Sequence, residues 1–232
     1  MPITLYDLAG VDPALRFSPR CWRTKFALAH KGLDAETVPW RFREAANLPQ
    51  PNQGRVPVIC DGEQVVHDSW TIAEYLEDAY PDLPSLFAGS GGRAHARFVN
   101  EWTEAVLLPS ILPMIVVDLF QSVDSEDQPY FRANREARLG KTLEAAQADR
   151  ELRLPSFNVM LSPLRATLSN QLWLGGAKPS YADHVVAAAL MWPSCVSRFS
   201  LLPADGPIFD WWQRVQFLYD SLAGNAVRSR SA

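Results

Sequence analysis

The sequence predicts two unlike domains: a small α/β domain over residues 1–83 and an all-α domain over residues 93–232, joined by a linker at 84–92. Three observations carry this reading. Strand-like alternation is confined to the first third of the chain, as in Ile3-Thr4-Leu5-Tyr6-Asp7-Leu8. A turn-rich run with Pro84, Ser85, Gly89, Ser90, Gly91 and Gly92 then breaks the pattern. Beyond it, apolar residues recur at helical spacing and no strand alternation returns.

In order, the alternating run at Ile3–Leu8 is the first strand, and a loop leads to a helix opened by Ser18. Serine is a favoured N-cap, Pro19 suits the first helical position, and Trp22, Phe26, Ala29 and Leu33 keep helical spacing up to a stop at Gly32. Ala35–Trp40 reads as a second strand, and Arg43–Gly54 as loop or broken helix. Val56–Cys60 and Gln64–His67 flank Asp61-Gly62, a hairpin signal, and Asp68-Ser69 caps a further helix that Pro81 stops. Helices are expected near 93–119, bent at Pro109 and Pro113, and near 129–150, 158–172, 180–197 and 207–222.

Composition excludes several classes of function. The 232 residues are 47% hydrophobic and 21% charged, with a formal charge of −4 and no basic patch suited to nucleic acid. The longest uncharged apolar run, Ala105–Val117, contains two prolines and is shorter than the roughly 20 residues a membrane span needs. No signal peptide is expected, and three scattered cysteines argue for a reducing compartment, so the expected location is the cytoplasm. His30, His67, His95 and His184 lack metal-ligand spacing, and no metal is expected.

Two positions carry open alternatives. Ser18 either caps its helix, at about 1 kcal/mol, or also serves an anion held at the positive helix N-terminus. Pro57, within a strand-like run, marks either a sheet edge or a cis bond that turns the Val56 backbone outward.

Ser18-Pro19, Arg55-Val56-Pro57-Val58, Asp68-Ser69 and Ser180-Tyr181-Ala182-Asp183 occur in the order and spacing of the cytosolic glutathione transferases, and the chain resembles that family over nearly its whole length. The run from Trp22 to Gly32, Asp68-Ser69-Trp70 and Leu174-Gly175-Gly176 resemble in particular the bacterial β-etherase branch and its fungal relatives. The resemblance implies a thioredoxin-like N-terminal domain, a C-terminal helical bundle, glutathione as co-substrate and a homodimer.

It also implies site roles. Ser18 would stabilise the glutathione thiolate, with Arg20 assisting if it faces the site. Val56, before a cis Pro57, would pair with the cysteinyl backbone, while Asp68 and Ser69 would hold the γ-glutamyl end. Arg55 either reaches a glutathione carboxylate or is a solvated surface arginine, and Gln53 is a weaker candidate. The acceptor, a hydrophobic small molecule, would lie between the domains against Trp102, Val106, Ile111, Met114 and Ile115, residues that could equally be core, with Trp192 a further candidate. β-Aryl ether cleavage is the specific reaction implied. Two rivals remain: a non-catalytic glutathione or hydrophobic-ligand binder, and a thiol-disulfide reductase using Cys21. The late Ser180-Asp183 pair has capping-box spacing and a structural role.

Overall fold

The computed structural model describes residues 2–229. Strands β1 (Ile3–Leu8), β2 (Ala35–Trp40), β3 (Val58–Asp61) and β4 (Gln64–His67) form one sheet in the order β2-β1-β3-β4. β1 and β2 run parallel because helix α1 (Pro19–Lys31) crosses between them, whereas β3 and β4 form an antiparallel hairpin. Gly62 turns that hairpin at φ 58°, a left-handed conformation that glycine adopts without a Cβ penalty. Helix α2 (Ser69–Ala79) follows and packs against α1.

Helix α1 is buried on nearly every side, because the sheet, α2 and a helix of the second domain all cover it. Two of its cations are therefore interior and each is paired. Arg23 bonds Glu104 and Asn100, both at 2.9 Å, and Lys31 meets Glu77 and the Tyr80 carbonyl at 3.0 Å. Burial lowers the Arg23 pKa, and Glu104 opposes that shift.

The second domain begins with α3 (Ser90–Trp102), which passes through a π-helical turn at Thr103–Leu107 into α4 (Leu108–Ser122). The widened turn lies just before Pro109, which cannot donate to the carbonyl four residues back. The continuous helix Gly91–Ser122 is long and apolar enough to cross a membrane, but it packs against four helices of the second domain. The helix expected over 129–150 is instead α5 (Gln128–Leu139) and the short α6 (Leu143–Gln147), separated by Gly140 at φ 68°. The helix expected over 158–172 is likewise α7 (Arg150–Met160) followed by α8 (Ser162–Leu168). Helices α9 (Tyr181–Val196) and α10 (Pro207–Ser221) lie where periodicity predicts them.

α9 is the core of the second domain and packs on α1. Its capping box is formed: Ser180 Oγ accepts from the Ala182 N–H, and the Asp183 carboxylate accepts from the Ser180 N–H at 3.0 Å. Asp183 also accepts from the Leu174 and Gly175 N–H groups, at 2.7 and 2.9 Å, and from Trp211 Nε1 at 2.9 Å. A Cβ on Gly175 would meet the Lys178 carbonyl at 2.6 Å, so only glycine lets this loop close on the carboxylate.

The two domains are also joined by a polar chain. His30 Nε2 lies 3.0 Å from the Ser85 carbonyl and must donate to it, which leaves Nδ1 to accept from the Tyr219 hydroxyl at 2.8 Å. The Tyr219 oxygen then accepts from His184 Nε2, also at 2.8 Å, and the buried His184 Nδ1 has no partner among the described residues. Burial lowers both histidine pKa values, that of His184 well below 6.5. The folded protein holds both rings neutral, while the unfolded chain protonates them below about pH 6.5. Stability is therefore complete above that pH and falls as pH drops below it, by at most about 1.4 kcal/mol per pH unit for each histidine. Urea unfolding at about pH 7.5 and about pH 5.5 checks this. The slope shrinks in His184→Gln, and equal slopes for variant and wild type would contradict the assignment.

Candidate active site

The C-terminal end of β1 and the N-terminal ends of α1, β3 and α2 meet at one end of the sheet. The register explains why. Tyr6 pairs with Val58, and Val58 with His67, so continuing both ladders sets Leu8 opposite Val56 and Pro57 opposite Asp68. Ser18 enters the same corner by capping α1, its Oγ accepting from the Cys21 N–H at 3.3 Å. Accepting that bond leaves the hydroxyl proton free to be donated. Pro19 has no N–H, and the Arg20 N–H has no partner among the described residues, so the helix terminus presents an unpaired donor beside the hydroxyl.

A cleft of about 490 Å³ opens here, with Leu8, Phe17, Ser18, Arg20, Arg55 and Val56 on the first-domain side. The Val56–Pro57 bond is cis, the second of the alternatives above. Val56 lies before β3, and its backbone N–H and C=O have no partner among the described residues. Arg55 is exposed and unpaired among the described residues, whereas the Arg20 guanidinium is tied to Glu104 on the π-helical turn. Gln53 is exposed and does not line the cleft.

Asp68 sits at φ 70°, unusual for a residue with a side chain, and caps α2. Its Oδ1 accepts from the Trp70 and Thr71 N–H groups at 3.0 and 3.1 Å, while Oδ2 has no partner among the described residues. Ser69 is buried beside it, its carbonyl accepting from the Tyr181 hydroxyl of α9 at 2.7 Å. Neither Asp68 nor Ser69 lines the cleft itself.

The second-domain wall differs from the residues expected except at Trp192. Ile111, Met114 and Ile115 are fully buried in the core, and Trp102 and Val106 are half-buried away from the cleft. The wall is made by Leu108, Leu112 and Leu119 of α4, by Tyr130, Phe131, Asn134, Arg135 and Arg138 of α5, and by Trp192 of α9. Helix α4 is apolar all round, so its residues at either face fit a pocket equally well in sequence, and packing alone selects the row. The signal for α5 was present in the sequence: Phe131, Asn134, Arg135 and Arg138 fall on one helical face.

Cys21 does not support disulfide chemistry. Its thiol is fully buried, and burial first, then Asp7, push its pKa up. A reactive cysteine is exposed and of lowered pKa. Among the described residues there is no group of side chains suited to hold a metal.

A thioredoxin-like sheet domain with a hydroxyl at its first helix, followed by a helical domain that closes the same cleft, defines a class that the comparisons identify. The family model for the glutathione S-transferase N-terminal domain matches residues 13–85, and that for the C-terminal domain matches residues 94–200. The chain belongs to the glutathione S-transferase family. It is similar to glutathione S-transferase Z2 of Arabidopsis thaliana, 31% identical over 109 residues that span 45% of this chain and 47% of that protein, less than half its length. A probable glutathione S-transferase, GSTU1, of Oryza sativa subsp. japonica is 29% identical over 217 residues, covering 84% of this chain and 89% of the rice protein. The crystal structure of glutathione transferase GSTFuA3 from Phanerochaete chrysosporium superposes with a TM-score of 0.74 at 27% identity, covering 95% and 92% of the two chains.

Proposed function

We propose that the protein is a cytoplasmic glutathione transferase in which Ser18 stabilises the glutathione thiolate. The observation that carries this is the corner where Ser18, the unpaired Arg20 N–H and the unpaired Val56 backbone meet one cleft. Glutathione's cysteinyl backbone pairs with Val56 before Pro57, its sulfur reaches the Ser18 hydroxyl, and its γ-glutamyl ammonium and carboxylate engage Asp68 Oδ2 and the α2 N-terminus at Ser69. Arg55 takes the remaining carboxylate, and Arg20, held by Glu104, adds to the field. On this reading residues 1–83 bind glutathione and residues 93–232 bind the acceptor.

In the reaction the thiolate sulfur forms a bond to an electrophilic carbon, and the leaving group departs with the electron pair of the bond that breaks. With an aryl ether the leaving group is an aryloxide, which takes up a proton from solvent. Phe42, Tyr130, Phe131 and Trp192 give the cleft aromatic walls suited to such acceptors. A panel of aromatic electrophiles that includes β-aryl ethers tests the reading. Glutathione-dependent turnover of at least one is expected, and glutathione binding without turnover of any would leave a ligand-binding protein instead.

A homodimer accompanies this reading. An open groove between α2 and α3 carries Trp70 and Phe87 under Arg97 and Arg93, with Phe98 exposed on α3. Sedimentation of the purified chain at twice its mass is expected, and a monomer would contradict it.

A further inference from the structure

The cleft is basic, and no Asp or Glu among the described residues lines it. Four arginines do: Arg20, Arg55, Arg135 and Arg138. Only Arg20 has an acidic partner among the described residues. The acids nearby are engaged elsewhere. Glu136 and Glu144 hold Arg132 on another side of α5, and Glu126 and Asp127 hold Arg43.

Arg135 is the most enclosed of the unpaired three. It is half-buried, lies 4.9 Å over the Phe131 ring, and its polar contact is the side-chain oxygen of Asn134. Burial and the charges of Arg138 and Arg20 lower its pKa, with only the Tyr130 phenol acting the other way. Like charges held together in a partly desolvated cleft repel unless an anion joins them, and guanidinium forks match carboxylates in geometry.

Glutathione is itself an anion, but it belongs to the first-domain corner, where Arg55 stands. Arg135 and Arg138 lie on the α5 wall, on the same face as Phe131 and beside Tyr130. We infer, resting on the transferase reading above, that the acceptor is an aromatic anion: its ring packs among Tyr130, Phe131 and Trp192, and its carboxylate binds Arg135 and Arg138. These two residues then determine specificity, favouring carboxylate-bearing acceptors over the neutral hydrophobic ones that aromatic walls alone would select.

Calorimetry with two glutathione derivatives tests this, since each fills both halves of the cleft. S-Benzylglutathione is neutral at the acceptor end, and S-(4-carboxybenzyl)glutathione carries the extra carboxylate. The wild-type protein is expected to bind the carboxybenzyl compound at least about tenfold more tightly. In Arg135→Gln/Arg138→Gln that preference falls to within about twofold while affinity for S-benzylglutathione holds. Equal or weaker binding of the carboxybenzyl compound to wild type overturns the inference and leaves the transferase reading standing, and that comparison needs no variant. Equal weakening of both compounds in the double variant also overturns it, because the arginines would then hold the tripeptide. Failure of both compounds to bind wild type removes the transferase reading and this inference together.

Discussion

Replacing Ser18 by alanine is expected to raise the thiol pKa of bound glutathione by about one to two units, the worth of one hydrogen bond to a charged group. Each unit removes about tenfold of the thiolate at neutral pH, but a more basic thiolate is also a better nucleophile, with a Brønsted coefficient of about 0.5. The net loss in kcat/KM is therefore roughly 3- to 10-fold, smaller than the loss of thiolate. The ultraviolet absorbance of the bound thiolate, titrated against pH, reads the shift directly. Stability changes less, because the capping bond that Ser18 makes to the Cys21 N–H is long at 3.3 Å. An unmoved pKa would leave Ser18 as a cap and assign thiol activation to the Arg20 N–H and the helix field.

Asp183→Ala is expected to be the most destabilising single change. The carboxylate is buried, and it satisfies the N–H groups of Leu174, Gly175 and Ser180 and the indole of Trp211. Alanine leaves these donors unpaired at about 1–3 kcal/mol each, and partial relaxation brings the total to on the order of 4–5 kcal/mol. Asp183→Asn keeps one oxygen but sets an amide NH₂ against N–H donors, so it loses about half as much. Denaturant midpoints at constant m-value measure both. A loss below about 1 kcal/mol in Asp183→Ala would mean that water replaces the carboxylate and that the Trp211 contact is incidental. Because Asp183 does not line the cleft, the folded fraction should keep its kcat/KM.

The sheet was legible because its signals are local. The alternation at Ile3–Leu8, the Asp61-Gly62 turn and the Ser18-Pro19 cap each act within a few residues, and the strands and α1 lie where they point. The Ser180–Asp183 box was legible for the same reason, although its extra partners lie outside it, Leu174 and Gly175 in the preceding loop and Trp211 on α10. Helical periodicity could not see the break at Gly140, since the amphipathic pattern continues across it. Nor could it foresee that Arg23 and Lys31 would be interior, which follows from Asn100 and Glu104 meeting Arg23 and from Glu77 and the Tyr80 carbonyl meeting Lys31. Ile111 and Met114, expected at the cleft, lie in the core instead, because an all-apolar helix gives no preferred face in sequence. An arginine-bearing helix such as α5 reads as solvated until the cleft beside it is known.

Thiol activation by Ser18 depends on where the sulfur of glutathione rests. A crystal structure of the protein soaked with glutathione measures that most directly. The sulfur should lie within hydrogen-bonding distance of Ser18 Oγ, with the cysteinyl backbone paired to Val56 and the γ-glutamyl group at Asp68 and Ser69. A tripeptide seated elsewhere, or a sulfur turned away from Ser18, would contradict it.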